Sequence, residues 1–259
     1  MSNRISGKSR TLAMLVVAVG LGTVTVFAHA QNTQESQVMT SAPTASEILS
    51  ARQQAIVPIA ALAAAGDIAR LGAALNQGLD AGLTVSEVKE VLVQLYAYAG
   101  FPRSLNALAE LMKVLEARKL RGIQDPSGRA PSRAIPNGKA LLAAGTANQT
   151  KLVGAPVRGP LYEFAPAIDE YLKTHLFGAI FERDNLDWQS RELATVSMLS
   201  ALPGTEAQLQ AHMRVSMNVG LTANQLRQVV QVLADRVDAE SSRRAREALA
   251  RQLATPSGR

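Results

Sequence analysis

The sequence predicts an all-α protein built from two tandem helical modules. Three observations carry that prediction. Alanine and leucine dominate and β-branched runs are few, and Ala and Leu lose least on entering a helix. Capping sequences recur ahead of apolar stretches, and glycines stop those stretches at helix-length intervals. One helix–Gly–helix–GLT–helix pattern also occurs twice. A chain of 259 residues, 47% hydrophobic and 19% charged, is long enough for one large or two small cores.

The elements follow in order. "MSNRISGKSR" is a basic stretch without an acid, followed by the apolar run "TLAMLVVAVGLGTVTVF" and then "AHA" before Gln31. This reads as a signal peptide over 1–30 cleaved after Ala30, with an uncleaved anchor as the alternative. The protein is therefore expected to be periplasmic or secreted, with no membrane contact after cleavage. Residues 31–43 are polar and small and read as a disordered tether. The first module is placed at 44–122. "TASE" (44–47) reads as a capping box for a helix to about Ala65, kinked at Pro58 and stopped by Gly66. Asp67 caps a second helix that ends at Gly82, and "TVSE" (84–87) opens a third that ends at Gly100. "FPRS" starts a fourth, with Pro102 in its first turn, that ends near Gly122. Residues 123–160 are rich in Pro and Gly and read as a linker with one short helix near 138–147. So long an irregular segment usually has a function or wraps a partner. The second module is placed at 161–254. Asp187 caps one of its helices, while "TEAQ" (205–208) and "TANQ" (222–225) read as capping-box variants. "DAESSRRAREALARQLA" reads as a solvent-facing last helix.

Charge and cysteine content narrow the function. Without Arg4, Lys8 and Arg10 of the leader, Lys+Arg falls from 27 to 24 against 21 Asp+Glu, a net charge near +3. That gives no case for nucleic-acid binding. There is no cysteine, which removes thiol nucleophiles, thiol redox chemistry and cysteine metal sites. Only His175 and His212 remain after the leader, so no metal site is expected.

The repeat is direct. "DAGLTVSEVKEVLVQL" (80–95) and "NVGLTANQLRQVVQVL" (218–233) align without a gap. Upstream, "RQQAIVPIAALAAAGD" matches "RELATVSMLSALPGT" with one extra residue, which sets Gln53 against Glu192 and Ala74 against His212. Unit two in turn lacks "YAGFPRS" and has "DRVDAES". Each unit keeps what the other has lost, so the two halves are expected to form one composite pocket, within the chain or between subunits.

The stretches "LDWQSRELATVSMLSALPGTEAQLQAHMRVSMNVGLT" and "LDAGLTVSEVKEVLVQLYAYAGFPRSLNAL" resemble the carboxymuconolactone decarboxylase-like family, which shares the alkylhydroperoxidase D fold. The resemblance implies two all-α modules and assembly of copies, expected here as a homo-trimer. The hydroperoxidase branch uses a Glu followed by Cys-x-x-Cys-x-x-x-His. Its cysteine places fall on Thr205 and Gln208, so thiol peroxidase activity is not expected. The pattern that remains matches the decarboxylase-like branch, with Glu192 and His212 as the catalytic pair. It implies cofactor-free lyase or isomerase chemistry on a small carboxylate or lactone. The alternative is a non-catalytic binding or assembly protein on the same fold.

The residues support that assignment in part. Glu192 shares a helical stripe with Val196 and Leu199, and His212 shares one with Leu209 and Val215. Glu192 lies twelve residues before Gly204 and His212 eight after it. At ~1.5 Å per residue the two sit roughly one turn apart in a helical hairpin. The pair could move protons or be a buried structural hydrogen bond. Arg103 and Arg191 are the candidate carboxylate ligands, each with an internal ion pair as the alternative. Tyr98 and Phe101 are substrate-contact candidates or core residues, and Tyr96 accompanies them. His175 reads as a packing histidine and Trp188 as a helix staple.

Overall fold

The computed structural model describes residues 47–255, and every described regular element is a helix. The leader, the tether and the Thr44 cap lie outside the described residues. None of the described helices is long and apolar enough to cross a membrane.

The first module holds α1 (Ala51–Ala65), α2 (Ile68–Asp80), α3 (Val85–Gln94) and α4 (Tyr96–Leu120). The cap of α1 is Ser50, which forms a capping box with Gln53; Glu47 instead meets Asn224 and, through its carbonyl, Gln228. α1 runs unbroken through Pro58 and ends at Gly66 with φ 74°. Asp67 and Thr84 cap α2 and α3 as read from the sequence. Gly100, with φ 82°, breaks the path between the first turn of α4 and the helix that begins at Phe101.

The linker is more ordered than its composition implies. Its first part lies across the start of α3, where the carbonyls of Pro126 and Ser127 accept the free amides of Val85 and Ser86 at 3.0 and 2.9 Å. Its helix, α5 (Gly138–Val153), is longer than expected. Short helices α6 (Pro160–Phe164) and α7 (Pro166–Tyr171) then lead into a π-helix, Leu172–Ile180, where the apolar spacing alone predicts one α-helix. Pro160 and Pro166 each open a new segment, because neither can donate to a preceding turn. α5 packs on the π-helix so closely that a Cβ on Gly145 would lie 1.7 Å from the Lys173 carbonyl oxygen.

The second module continues with α8 (Trp188–Ser200), α9 (Glu206–Asn218), α10 (Ala223–Arg236) and α11 (Ala239–Ala254). Asp187 and Thr222 cap α8 and α10 as expected. Thr205 does not cap α9: its hydroxyl donates to the Leu199 and Leu202 carbonyls. α11 is not a solvent helix, since Ser241, Ser242, Ala245, Ala248 and Leu249 are buried against the module.

α1 and α8 form the centre. Ala55 to Ala64 and Ser190 to Ser200 are buried without interruption, the pattern of helices covered on all sides. The hydroxyls of Thr195, Ser197 and Ser200 survive there because each donates to the carbonyl four residues back. Hence Glu192, midway along α8, starts inside the core.

Candidate functional site

Glu192 is fully buried, and its Oε2 lies 2.8 Å from Nδ1 of His212. The helical hairpin at Gly204 brings them together, as the residue count requires. A carboxylate accepts from Nδ1–H, which leaves Nε2 as the ring nitrogen that can accept or release a proton. The other Glu192 oxygen, Oε1, is buried and makes no hydrogen bond.

Tyr98 closes the group from the first module. Its ring meets the imidazole edge-on, with centroids 5.8 Å apart, and its hydroxyl lies 3.2 Å from Thr195 Oγ1. Burial, and then the Glu192 charge, push the phenol far above its ordinary pKa. The Tyr98 hydroxyl accepts from Thr195 Oγ1 and stays protonated, with its own proton left to donate.

Tyr98 and His212 line a cavity of about 400 Å³. Leu176 and Phe177 of the π-helix and Val153 of α5 form an apolar wall, with Gln149 and Tyr162 adding polar tips. Thr205 and Gln208, the two positions the resemblance assigns to cysteines in the peroxidase branch, face the same space. So does Arg214, which is exposed and pairs with no acid among the described residues. Nothing local in the sequence marks Arg214. It sits two residues past His212, and the helix alone turns it toward the cavity mouth.

Residues 38–112 and 166–251 match the carboxymuconolactone decarboxylase family, together more than half of the chain. The chain belongs to that family. No curated protein matches it. Two matched segments fit two tandem family modules. The family match omits residues 113–165, which hold α5 and the short helix bearing Tyr162. The part of the cavity wall built there lies outside the matched segments.

The other predicted contacts fall elsewhere. Arg191 is fully buried, and its guanidinium is committed to Glu90 at 3.0 Å, Gln94 at 3.2 Å and the Arg183 carbonyl at 2.8 Å. It is an internal ion pair, not a ligand contact. Arg103 donates to the Ala65 carbonyl at the end of α1, in the space that a Cβ on Gly66 would fill. The negative end of α1 thus offsets the unfavourable position of Arg103 at the start of its own helix. Phe101 is 63% exposed and stacks on Tyr96 at 4.7 Å, away from the cavity. His175 is exposed beside Tyr171 rather than packed inside. Trp188 does staple α8: its Nε1 donates to the Phe181 carbonyl, and Lys151 sits over its ring. Of the first module's "YAYAGFPRS", the composite pocket uses Ala97 and Tyr98.

Proposed function

We propose that this family member carries out cofactor-free proton-transfer chemistry on a small organic acid or lactone, of the carboxy-lyase or isomerase type. The hydrogen-bonded Glu192–His212 pair, set against a mostly apolar cavity of about 400 Å³, is the observation that carries this reading. Arg214, rather than Arg103 or Arg191, anchors the substrate carboxylate. His212 takes a proton from carbon through Nε2, and buried Glu192 steadies the imidazolium that forms. Tyr98, fixed in its protonated form, donates to the oxygen on which enolate charge develops. For a decarboxylation no proton is first taken from carbon: the C–C electron pair becomes that enolate as CO2 leaves, and His212, entering the step as imidazolium, gives its Nε2 proton to that carbon. The apolar wall from α5 and the π-helix keeps water from the intermediate.

We further propose that copies associate through the outer face of α4, where Phe101, Leu105 and Met112 stand exposed at helical spacing. The amino-terminal leader directs the protein out of the cytoplasm.

Incubating the protein with a panel of small carboxylates and lactones in deuterated water tests the chemistry. NMR should show deuterium entering the substrate or the loss of CO2. Melting temperature should rise with ligand concentration. Stabilisation by a ligand with neither exchange nor turnover would mean a binding protein on this fold.

A further inference from the structure

The repeat relates more of the molecule than its helices. Gly66 and Gly204, Ala74 and His212, and Gln54 and Glu192 are each 138 residues apart. The same offset relates the bounds of α2 (Ile68–Asp80) to those of α9 (Glu206–Asn218), and on it Gln54, rather than Gln53, is the counterpart of Glu192. Gln53 is spent in the Ser50 cap, whereas Gln54, its Nε2 donating to the Leu49 carbonyl at 2.8 Å, lines a second cavity, of about 480 Å³.

That cavity is the repeat image of the first. Ala97 and Tyr98 line the Glu192–His212 cavity, and Asp235 and Arg236 line the other. Gln208, Ala211, His212 and Val215 of α9 correspond to Arg70, Ala73, Ala74 and Gln77 of α2. The concavity is thus duplicated but its chemistry is exchanged: Gln54, Ala74 and Arg236 stand where the second module's site has Glu192, His212 and Tyr98, and Arg70 and Gln77 stand where it has Gln208 and Val215. Arg70 is ion-paired with Asp67 at 2.7 Å and donates to the Val237 carbonyl at 2.6 Å, so its charge is already matched and it fixes the rim of the cavity rather than serving as its cation. Asp235 accepts from Gln231 at 2.8 Å. Among the described residues nothing pairs with Arg236. Pro58, Leu62 and Ala74 form an apolar floor beneath it.

We propose that this first-module cavity is a second binding site, which takes a small carboxylate with an apolar body and performs no proton transfer on it. Arg236 receives the carboxylate, Gln54 and Gln77 offer amide contacts beside it, and the floor takes the hydrocarbon part. One chain then carries a catalytic-type cavity and a binding-only cavity of the same ancestry. The second cavity suits a regulator or product resembling the first site's ligand. The proposal stands on its own geometry and does not require the first cavity to be catalytic.

Fluorobenzoate, followed by fluorine NMR, is the probe, with fluorobenzamide as its uncharged counterpart. The protein carries Arg214→Ala, which removes the cation of the first cavity. Fluorobenzoate should still bind, and more tightly than fluorobenzamide. Adding Arg236→Ala should weaken it about tenfold or more, the scale of a lost charge-assisted hydrogen bond. Arg236→Lys should recover only part of that. Ala73→Trp, at an exposed lining position, should block binding without touching the core. Fluorobenzoate that fails to bind at millimolar concentration would overturn the proposal. So would binding that survives both Arg236→Ala and Ala73→Trp.

Discussion

Glu192 and His212 share one hydrogen bond, so each depends on the other for its role. His212→Ala removes the proton carrier, and Glu192→Gln removes the charge that steadies imidazolium. Each should abolish turnover, and the double variant should lose little more than either single one. Stability separates this from a purely structural pair. A buried group left unpaired costs ~1–3 kcal/mol, so His212→Ala, which strips Glu192 of its partner, should melt earlier by that amount. Glu192→Gln keeps a hydrogen-bonding side chain and should melt closest to the parent while remaining inactive; an active Glu192→Gln protein would sink the assignment. Arg214→Ala should weaken carboxylate binding by about tenfold with little change in melting temperature, because the side chain is exposed and unpaired. The pair is legible in the sequence because two polar residues interrupt apolar stripes at heights that a hairpin brings to within about one turn of each other. The arginines are not. Arg191 and Arg103 look free in a sequence, and only packing reveals that Glu90 and the end of α1 already hold them.

At the scale of elements, caps explain what could be read and what could not. Asp67, Thr84, Asp187 and Thr222 bond amides three residues on, a local signal that survives into the fold. Thr205 carries the same signal but turns its hydroxyl to the Leu199 carbonyl in the last turn of α8 and to the Leu202 carbonyl of the loop, because carbonyls at a helix end need donors. The π-helix was beyond reach for a different reason. Its sequence is periodic, and the wider turn comes from close packing on α5, which no local pattern records. That contact gives a prediction. Gly145→Ala would drive a methyl group to within 1.7 Å of the Lys173 carbonyl oxygen, so α5 must separate from the π-helix. The variant should lose ligand binding more than global stability, since α5 and the π-helix wall the cavity but lie outside the α1–α8 core. Hydrogen exchange should rise over 138–180 and stay unchanged in α8. Equal loosening of both regions would show that the wall and the core are one cooperative unit.

The whole molecule is a duplicated unit held together by more than apolar burial. Its outer α4 face, with Leu105 and Met112 61% and 71% exposed, should make the protein self-associate, with a trimer expected by light scattering. Leu105→Lys with Met112→Lys should yield monomers, and a parent protein already monomeric at micromolar concentration would refute that face as an interface. Between the modules, Glu90 of α3 is 2% exposed and receives Arg183 in a forked contact at 2.6–3.0 Å, Asn185 at 3.0 Å and Arg191 of α8 at 3.0 Å. Burial alone pushes the Glu90 carboxyl up, but the three donors outweigh it and hold it below the ordinary value of 4.5. A carboxyl whose pKa is lower when folded stabilises the fold fully above 4.5. That contribution disappears as pH falls through the folded value. The parent should therefore lose resistance to urea as the solution is taken from neutral to about pH 3. Glu90→Gln leaves the guanidinium of Arg191 buried without its counter-ion, at a cost of about 3 kcal/mol or more at neutral pH. Its deficit against the parent should shrink as the pH falls, because acid neutralises the same carboxylate in the parent. A deficit that holds constant across that range would mean that Glu90 contributes shape and hydrogen bonds only, and that its charge does not clasp the two modules.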